Sequence, residues 1–552
     1  MTTSEFVVHL AQQNIHCSVV GSKLRIDAPK GAITSQLLAD LVERKPEIIA
    51  FLRQSKQGNS QLAGQDNNHG LWPVSYVQEG IWFLNHLFPG SAVSNIVSGF
   101  RCVGKLNTEA LQRSLNEVIR RHAILRTTFK MIDHQLSQII QPASTVTLPV
   151  VDFSALSETE AEKKALQMGT DQAEKPFNLA ESPLFRISVV RLTEEHHVIF
   201  LVLHHVVGDG WSSGIFYSEL MTFYRSFIDS RPSPLPELPI QYVQFAQWQR
   251  RRLTGETLDA LRAYWKKQLA GDWPFLELPT DRPRPRTVTF NGAHKSFRIR
   301  KDLRHSIKDF SRQNGITVFI TLLTGFVAIL FAYTGQEDIL LTVGTANRTR
   351  LEFENVIGPF VNTLILRLDL SGNPTFRELL QRARDVTLAA YEHGELPFEK
   401  IMQELKIKRD PARPPLRAGF GFFNWPEFTV SIPGLAMTRV EVENGATRLD
   451  LVLEMEERDG HLQGTMEYNT DLFVATTIER ISADLETALC RIVANPLEKL
   501  ETIRSVINAE TPTLSRNHQP GPISNAAPAL LQRLDSMSEL EIDALLAELL
   551  RK

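Results

Sequence analysis

Apolar residues run along this chain in two rhythms, one of helical period and one of continuous β-type runs. Phe6, Val7, Leu10 and Ala11 recur at helical spacing behind Ser4, a capping residue type, and predict a helix through about Gln13. Cys17 to Val20 and Lys23 to Ile26 are short β-prone runs flanking Gly21-Ser22, a two-residue connection that predicts a hairpin. From Thr34 to Arg53 the helical period returns, with Leu37, Leu38, Leu41, Val42, Ile48, Ile49 and Leu52 apolar and Pro46 dividing the stretch. Residues 1–54 therefore read as a small α-β-β-α-α unit.

Residues 55–71 lose the apolar period and turn to Ser, Gly, Asn, Gln and Asp, a linker composition. A first lobe follows over residues 72–245. It holds an amphipathic helix from Thr108 to Arg121 with Asn107 as N-cap, apolar strands around Phe185 to Leu192 and His197 to Leu203, and a helix after Trp211. Residues 246–291 read as a crossover, Pro-rich and extended at Leu278 to Pro285. The second lobe spans 292–505, with Val318 to Tyr333 helical and Ile339 to Val343 a strand. Mixed strands and helices in both halves predict α/β layers. A second linker covers 506–530, and 531–552 carries a helix with Ser538 and Glu541 as a capping box and Ile542, Leu545, Leu546, Leu549 and Leu550 along one stripe. A helix that short is marginal alone in water, so it needs a groove, on its own protein or on a partner.

At 552 residues the chain is too long for one core. Sixty basic residues against 63 acidic ones give a net charge of −3, with no field to draw nucleic acid. Cys17, Cys102 and Cys490 stand far apart, which gives no metal-ligand spacing and no disulfide framework. The N-terminus has no signal-peptide pattern and no apolar run reaches spanning length, so the expectation is a cytoplasmic protein, monomeric and off the membrane.

The chemistry concentrates at His204-His205-Val206-Val207-Gly208-Asp209-Gly210, directly after the apolar run Val198 to Leu203. A buried strand ending in two histidines puts an imidazole where core gives way to cleft. Histidine titrates near neutrality, so the ring can accept a proton at cellular pH, as acyl transfer requires. Consecutive strand residues face opposite sides, so His204 is expected to point into the lobe. Asp209 reads as a structural anion whose partner is Arg126, Arg348 or Arg350. Gly210 lets backbone approach a substrate, with its amide a candidate oxyanion donor, and Trp211 shapes the cleft or belongs to the core.

The order His-His-x-x-x-Asp-Gly-Trp-Ser, ending at Ser212, resembles the signature of nonribosomal peptide synthetase condensation domains, members of the chloramphenicol acetyltransferase-like superfamily. Other stretches resemble the remaining family motifs in the same order: Ser75 to Leu84, Arg121 to Phe129, Tyr242 to Gln249, Ile357 to Leu364, His393 to Lys400 and Arg409 to Leu416. Gln244 stands where the family usually carries Asp. The resemblance covers about Val74 to Ser505 and implies an α/β fold of two chloramphenicol-acetyltransferase-like lobes in a V-shaped pseudo-dimer. It implies catalysis by His205 with His204, Asp209 and Gly210 around it, and a substrate tunnel touched by Trp211, Ser212, Asn362 and Thr363. The implied reaction is amide formation between two carrier-protein thioesters in peptide, or hybrid peptide-polyketide, biosynthesis, by a free-standing acyltransferase. No cofactor and no metal is expected to be bound; phosphopantetheine arms of partner carrier proteins bring both substrates.

Residues 1–54 resemble the TubC-type N-terminal docking domain of megasynthases, through Lys23-Leu24-Arg25-Ile26 and Ala28-Pro29-Lys30-Gly31. That implies capture of an acidic tail from the upstream synthetase by strand addition, with Lys23 and Arg25 selecting its charge; the other reading is a small cap on the main fold. The 531–552 helix is a candidate socket for the downstream carrier. Four alternatives stay in view. An epimerisation domain usually reads Asp-Gly-Val-Ser-Trp after the histidines, and a heterocyclisation domain replaces the histidines by aspartates. An ester-forming relative, or transfer to a free amine, would look the same here. A non-catalytic docking scaffold would not need the intact motif. The opening motif and Asn347-Arg348-Thr349-Arg350 look more like the class that joins two L-residues.

Overall fold

The computed structural model describes residues 16–20, 23–27, 44, 45, 47, 70–285, 287–407, 414–423, 432–458 and 460–510. The predicted N-terminal helices, most of the 55–71 linker and everything after residue 510, the C-terminal helix included, lie outside the described residues. The hairpin pairs His16–Val20 with Lys23–Asp27 antiparallel, Val20 opposite Lys23 and Ser18 opposite Arg25.

The first lobe is built on a five-stranded sheet in the order Ala436–Val440, Asn95–Val103, His196–His204, Phe185–Arg191, Val150–Asp152. The second has a six-stranded sheet in the order Gly292–Arg298, His461–Asn469, Leu451–Arg458, Ala418–Phe423, Asp338–Thr345, Asn362–Asp369. Four neighbours in each follow one plan. Asn95–Val103 and Gly292–Arg298 each lead into a helix, Thr108–Arg121 and Lys301–Gln313. Each sheet then adds a hairpin, and the outer hairpin strand takes a parallel neighbour, Val150–Asp152 or Ala418–Phe423. A helix follows each hairpin, Gly210–Ile228 or Ala475–Ala494. This repetition is the pseudo-dimer.

Local rules account for most of these elements. Asn107 Oδ1 accepts from Ala110 N at 3.0 Å and caps Thr108–Arg121, whose last turn carries Arg120 and Arg121 on the favourable end of the helix dipole. Val318–Thr334 starts at a Thr317 cap and stops at Gly335, which adopts the left-handed backbone a C-terminal cap needs. It is apolar around most of its circumference because it is buried in the second core. Among the described residues no single helix is long and apolar enough to cross a membrane.

Core membership departs from the sequence order at three places. The strand Ala436–Val440, inside the second-lobe sequence, crosses to the first sheet and pairs with Asn95–Val103. Phe353, Val356, Ile357 and Phe360 bury themselves in the first core, although they follow a second-lobe strand. In the other direction Leu261, Trp265 and Leu269, on the helix Gly255–Gln268 and just past its end, join the second core, so the 246–291 crossover is structured and buried in part. Periodicity reports that a residue is buried, not in which core, so these exchanges were invisible to it.

Candidate active site

The run Val198 to Leu203 is fully buried as the centre of its sheet, and His204 and His205 close it. His204 lies opposite Asn95 in the ladder and His205 N–H donates to Ser94 O at 2.7 Å, so both backbones are fixed by the Ser94-Asn95 step. His204 points into the lobe: it is buried, its Nδ1 accepts from Val206 N at 3.2 Å, and Phe177 meets its ring edge-on at 5.8 Å. Burial, aided by the charges of His205, Arg448 and Arg186, holds its pKa down at about 3. His205 faces the other way and is partly exposed. Burial and then the positive charge of Arg448 lower its pKa to about 4, against opposing pulls from its own carbonyl, Asp209 and the Gly208 carbonyl. His205 Nδ1 has no hydrogen-bond partner among the described residues.

Arg448 comes from the second-lobe sequence, after the crossing strand. It presents an exposed surface, yet its charge is penalised by surrounding protein and its field reaches both histidines. His205 keeps part of its surface exposed, so the residue is not walled off.

Asp209 has no exposed surface. Its Oδ1 caps Gly210–Ile228 by accepting from Ser212 N at 2.8 Å and Ser212 Oγ at 2.6 Å, and its Oδ2 accepts from Phe360 N at 3.1 Å. Arg348 Nη2 reaches Oδ1 at 3.2 Å and Oδ2 at 3.4 Å, while Arg348 Nη1 donates to Val356 O at 2.7 Å. The guanidinium also lies 4.2 Å from the Phe360 ring centre. Of the three candidate arginines only Arg348 meets Asp209. Arg126 donates instead to Gln141 O, and Arg350 pairs with Glu352 at 3.3 Å. Gly210 opens the helix, where backbone N–H groups have no intrahelical acceptor.

The expected tunnel residues divide. Ser212 is fully buried, with its Oγ shared among Asp209, Gly358 O at 3.0 Å and Gly358 N at 3.1 Å. Asn362 is buried and saturated: Nδ2 donates to Gly394 O at 2.8 Å and Leu396 O at 2.9 Å, and Oδ1 accepts from Thr363 N at 2.9 Å and Phe398 N at 3.0 Å. Both side chains are thus engaged within the protein and hold the backbone around the histidine turn and the Gly394–Phe398 step. Trp211 is partly exposed and donates to Glu354 O at 3.0 Å, and Thr363 is partly exposed beside Asn362.

The same holds for much of the remaining motif set. Ser75 O–H donates to Tyr242 OH at 2.8 Å, and Tyr242 OH donates to Pro359 O at 2.8 Å, which joins three motifs across the lobe boundary. Gln78 Nε2 donates to Val206 O at 3.3 Å, beside His205. His122 Nδ1 accepts from Ile357 N at 3.3 Å, so its proton sits on Nε2 and goes to Glu219 Oε2 at 2.8 Å. Gly80 lies against Glu399, a Cβ there coming within 2.6 Å of its Cγ. Gln244 Oε1 accepts from Gln241 N at 2.6 Å in the capping box of Tyr242–Arg252, which shows how Gln serves where Asp is usual. Sequence reasoning missed Ser94, Glu219 and Arg448, none of which sits next to the histidines in the chain. A pocket of about 260 Å³ between Trp248, Arg252, Asn347 and Glu395 has no histidine of the pair in its wall. Among the described residues no cluster of three or more His, Cys, Asp or Glu side chains could hold a metal ion.

Comparison with known proteins places this geometry in a family. The chain is 40% identical over 441 residues to a linear gramicidin synthase from Brevibacillus parabrevis, covering 79% of this chain and 6% of that protein. It is 40% identical over 440 residues to chondramide synthase cmdD of Chondromyces crocatus, covering 79% and 11%. The chain thus spans only a small part of these relatives. Its fold is shared with the first condensation domain of the calcium-dependent antibiotic synthetase, at a TM-score of 0.69, 18% identity and coverage of 79% of this chain and 99% of that one. Residues 4–54 match the TubC N-terminal docking domain. Residues 68–515 match the condensation domain model, and with an imidazole at the buried strand end and a repeated two-lobe fold around it, the chain belongs to the condensation domain family.

Proposed function

We propose that the chain joins two carrier-bound substrates by attack of an aminoacyl amine on an upstream acyl or peptidyl thioester. The nitrogen bonds to the thioester carbon, the carbon–sulfur bond breaks, and the thiolate of the upstream phosphopantetheine arm leaves. The nitrogen loses one proton, and the departing sulfur takes one. The thioester is already activated, so most of the work is bringing the reactants together; held in register, they gain an effective concentration that accounts for several kcal/mol of the barrier. The observation that carries this reading is His205: an imidazole fixed through its backbone to Ser94, partly exposed, and held neutral by burial and the charge of Arg448. Its lowered basicity suits it to accept a hydrogen bond from the attacking amine and orient the nitrogen lone pair. It takes the proton as the nitrogen becomes positive and hence strongly acidic.

Asp209, with Arg348 against it, acts by holding the turn after His205. Trp211, Thr363 and the Gly210 amide are the remaining groups within the motifs that a substrate could meet. The 1–54 unit receives the upstream synthetase, through the edge of the hairpin of His16–Val20 and Lys23–Asp27, and the 531–552 helix serves the downstream carrier. The test is direct. Parent and His205→Ala protein are mixed with acyl- and aminoacyl-loaded carrier proteins, and the dipeptidyl thioester is sought by mass spectrometry. Product from the parent and none from the variant is expected; equal product removes His205 from the reaction. Removing residues 1–54 should weaken pairing with the upstream carrier while leaving reaction with small soluble thioesters intact.

A further inference from the structure

The loop between the crossing strand Ala436–Val440 and the strand Leu451–Arg458 touches the histidine end of the first sheet at two consecutive residues. Asn444 Nδ2 donates to Asn95 O at 2.8 Å, and Arg448 Nη2 donates to Ser94 Oγ at 3.0 Å. Ser94 O is the acceptor for His205 N–H, and Asn95 lies opposite His204. The Ser94-Asn95 step that fixes the two imidazole-bearing residues is therefore itself held from the other lobe.

The base of this loop is anchored. Thr447 N donates to Phe290 O at 2.9 Å, Thr447 Oγ1 to Glu467, and Asp450 is clamped by Arg284 and Arg417. Arg448 leaves that rigid base with Ser94 as its hydrogen-bond partner, and among the described residues no carboxylate stands within ion-pair distance of it. Glu399 and Glu467 act on it only through space. Its charge is thus left free to act on the two histidines. The groups that face His205 are His204 from its own strand, Asp209 from the helix start and Arg448 from the second lobe. Asp209 is already engaged with Arg348, which leaves Arg448 as the strongest charge on the imidazole.

We infer that Arg448 is a positioning residue for His205: through Ser94 it fixes the imidazole-bearing backbone from the other lobe, and it does so with a guanidinium that no carboxylate pairs. This rests on His205 being the reacting imidazole, but its test reads the ring itself and not turnover. The probe is diethyl pyrocarbonate, which modifies neutral imidazole; the extent of His205 modification is followed by peptide mass spectrometry from pH 4 to 8. In the full-length parent, His205 should remain reactive well below the ordinary histidine midpoint. Arg448→Met should raise the midpoint by about one pH unit, a tenfold loss of neutral ring at the acid end. Arg448→Lys keeps the charge and should leave the midpoint near the parent's. Ser94→Ala frees the guanidinium from its tether and should give an intermediate rise, which covers the case of Arg448→Met failing to fold. Unmoved midpoints in both Ser94→Ala and a folded Arg448→Met, or a rise in Arg448→Lys equal to that in Arg448→Met, would overturn the assignment. Should the midpoints move as expected while His205→Ala stays active, the reaction assignment fails and the positioning role stands.

Discussion

Asp209 and Arg348 are both almost fully buried, so neither can fall back on water if the other is removed. Taking one partner from such a pair costs about 3–5 kcal/mol, because the survivor is left as an uncompensated charge. Asp209→Ala is therefore expected to lower the unfolding free energy measured in urea by that order and to lose activity with folded protein. An inactive variant that melts like the parent would move Asp209 from structure to chemistry. Gly358 makes a second prediction at this scale. A Cβ at Gly358 would lie 2.0 Å from Tyr242 Cδ2, inside a packed ring. Gly358→Ala should cost about 1–3 kcal/mol by overpacking, read as a fall in denaturation midpoint. At this scale the sequence showed that Asp209 needs a cation, but not which one. Arg126, Arg348 and Arg350 look alike on paper, and the choice is made by how the lobes meet. Ser212 and Asn362 make a related point: a motif names residues, whereas only coordinates show which polar atoms are already bonded.

The elements were the most readable level. The histidine-tipped strand, the capped helix Thr108–Arg121, the buried helix Val318–Thr334 and the hairpin at 16–27 all lie within a residue or two of where period and turn chemistry put them. Each is decided by neighbours in the chain, which a single sequence contains. The strand Ala436–Val440 was not readable, because it is short, half exposed and defined only by its partner Asn95–Val103. One prediction belongs to this level. Gln244 and Gln241 close a reciprocal box at the start of Tyr242–Arg252. Gln244→Ala should cost about 1 kcal/mol by freeing a helix-terminal donor, measured by thermal melting, with little change in the reaction if the helix only supports the lobe junction.

Across the whole molecule, two groups of histidines give stability opposite dependences on pH. His204 and His205 have folded-state pKa values of about 3 and about 4, below the unfolded value near 6.5. The unfolded chain then binds the extra protons, so their contribution is whole above pH 6.5 and falls away as pH drops towards 4 and 3. His294 runs the other way. Burial alone would lower its pKa, but the Glu443 carboxylate 3.9 Å away and the hydrogen-bonded Glu467 at 3.2 Å outweigh it and raise it to about 10. Its contribution is whole below pH 6.5 and is lost as pH rises towards 10. Unfolding free energy measured across pH should therefore fall on both sides of neutrality. His294→Gln should flatten the alkaline side, and His204→Asn, whose amide oxygen can take the bond from Val206 N, the acid side. An acid limb unchanged in His204→Asn would mean that other groups set it. At this scale the two-lobe plan was legible from motif order, while the web of contacts that closes the lobes onto each other was not.

The strand that the second half contributes to the first sheet also bears on recombination. Cutting the chain at the sequence boundary near residue 292 and grafting on a relative's second half would replace the edge partner of Asn95–Val103 along with the loop that meets Ser94 and Asn95. Hybrids spliced by spatial membership, with 432–450 travelling with the first half, keep that edge pairing native and should assemble better than linear splices, whose foreign strand meets a mismatched edge.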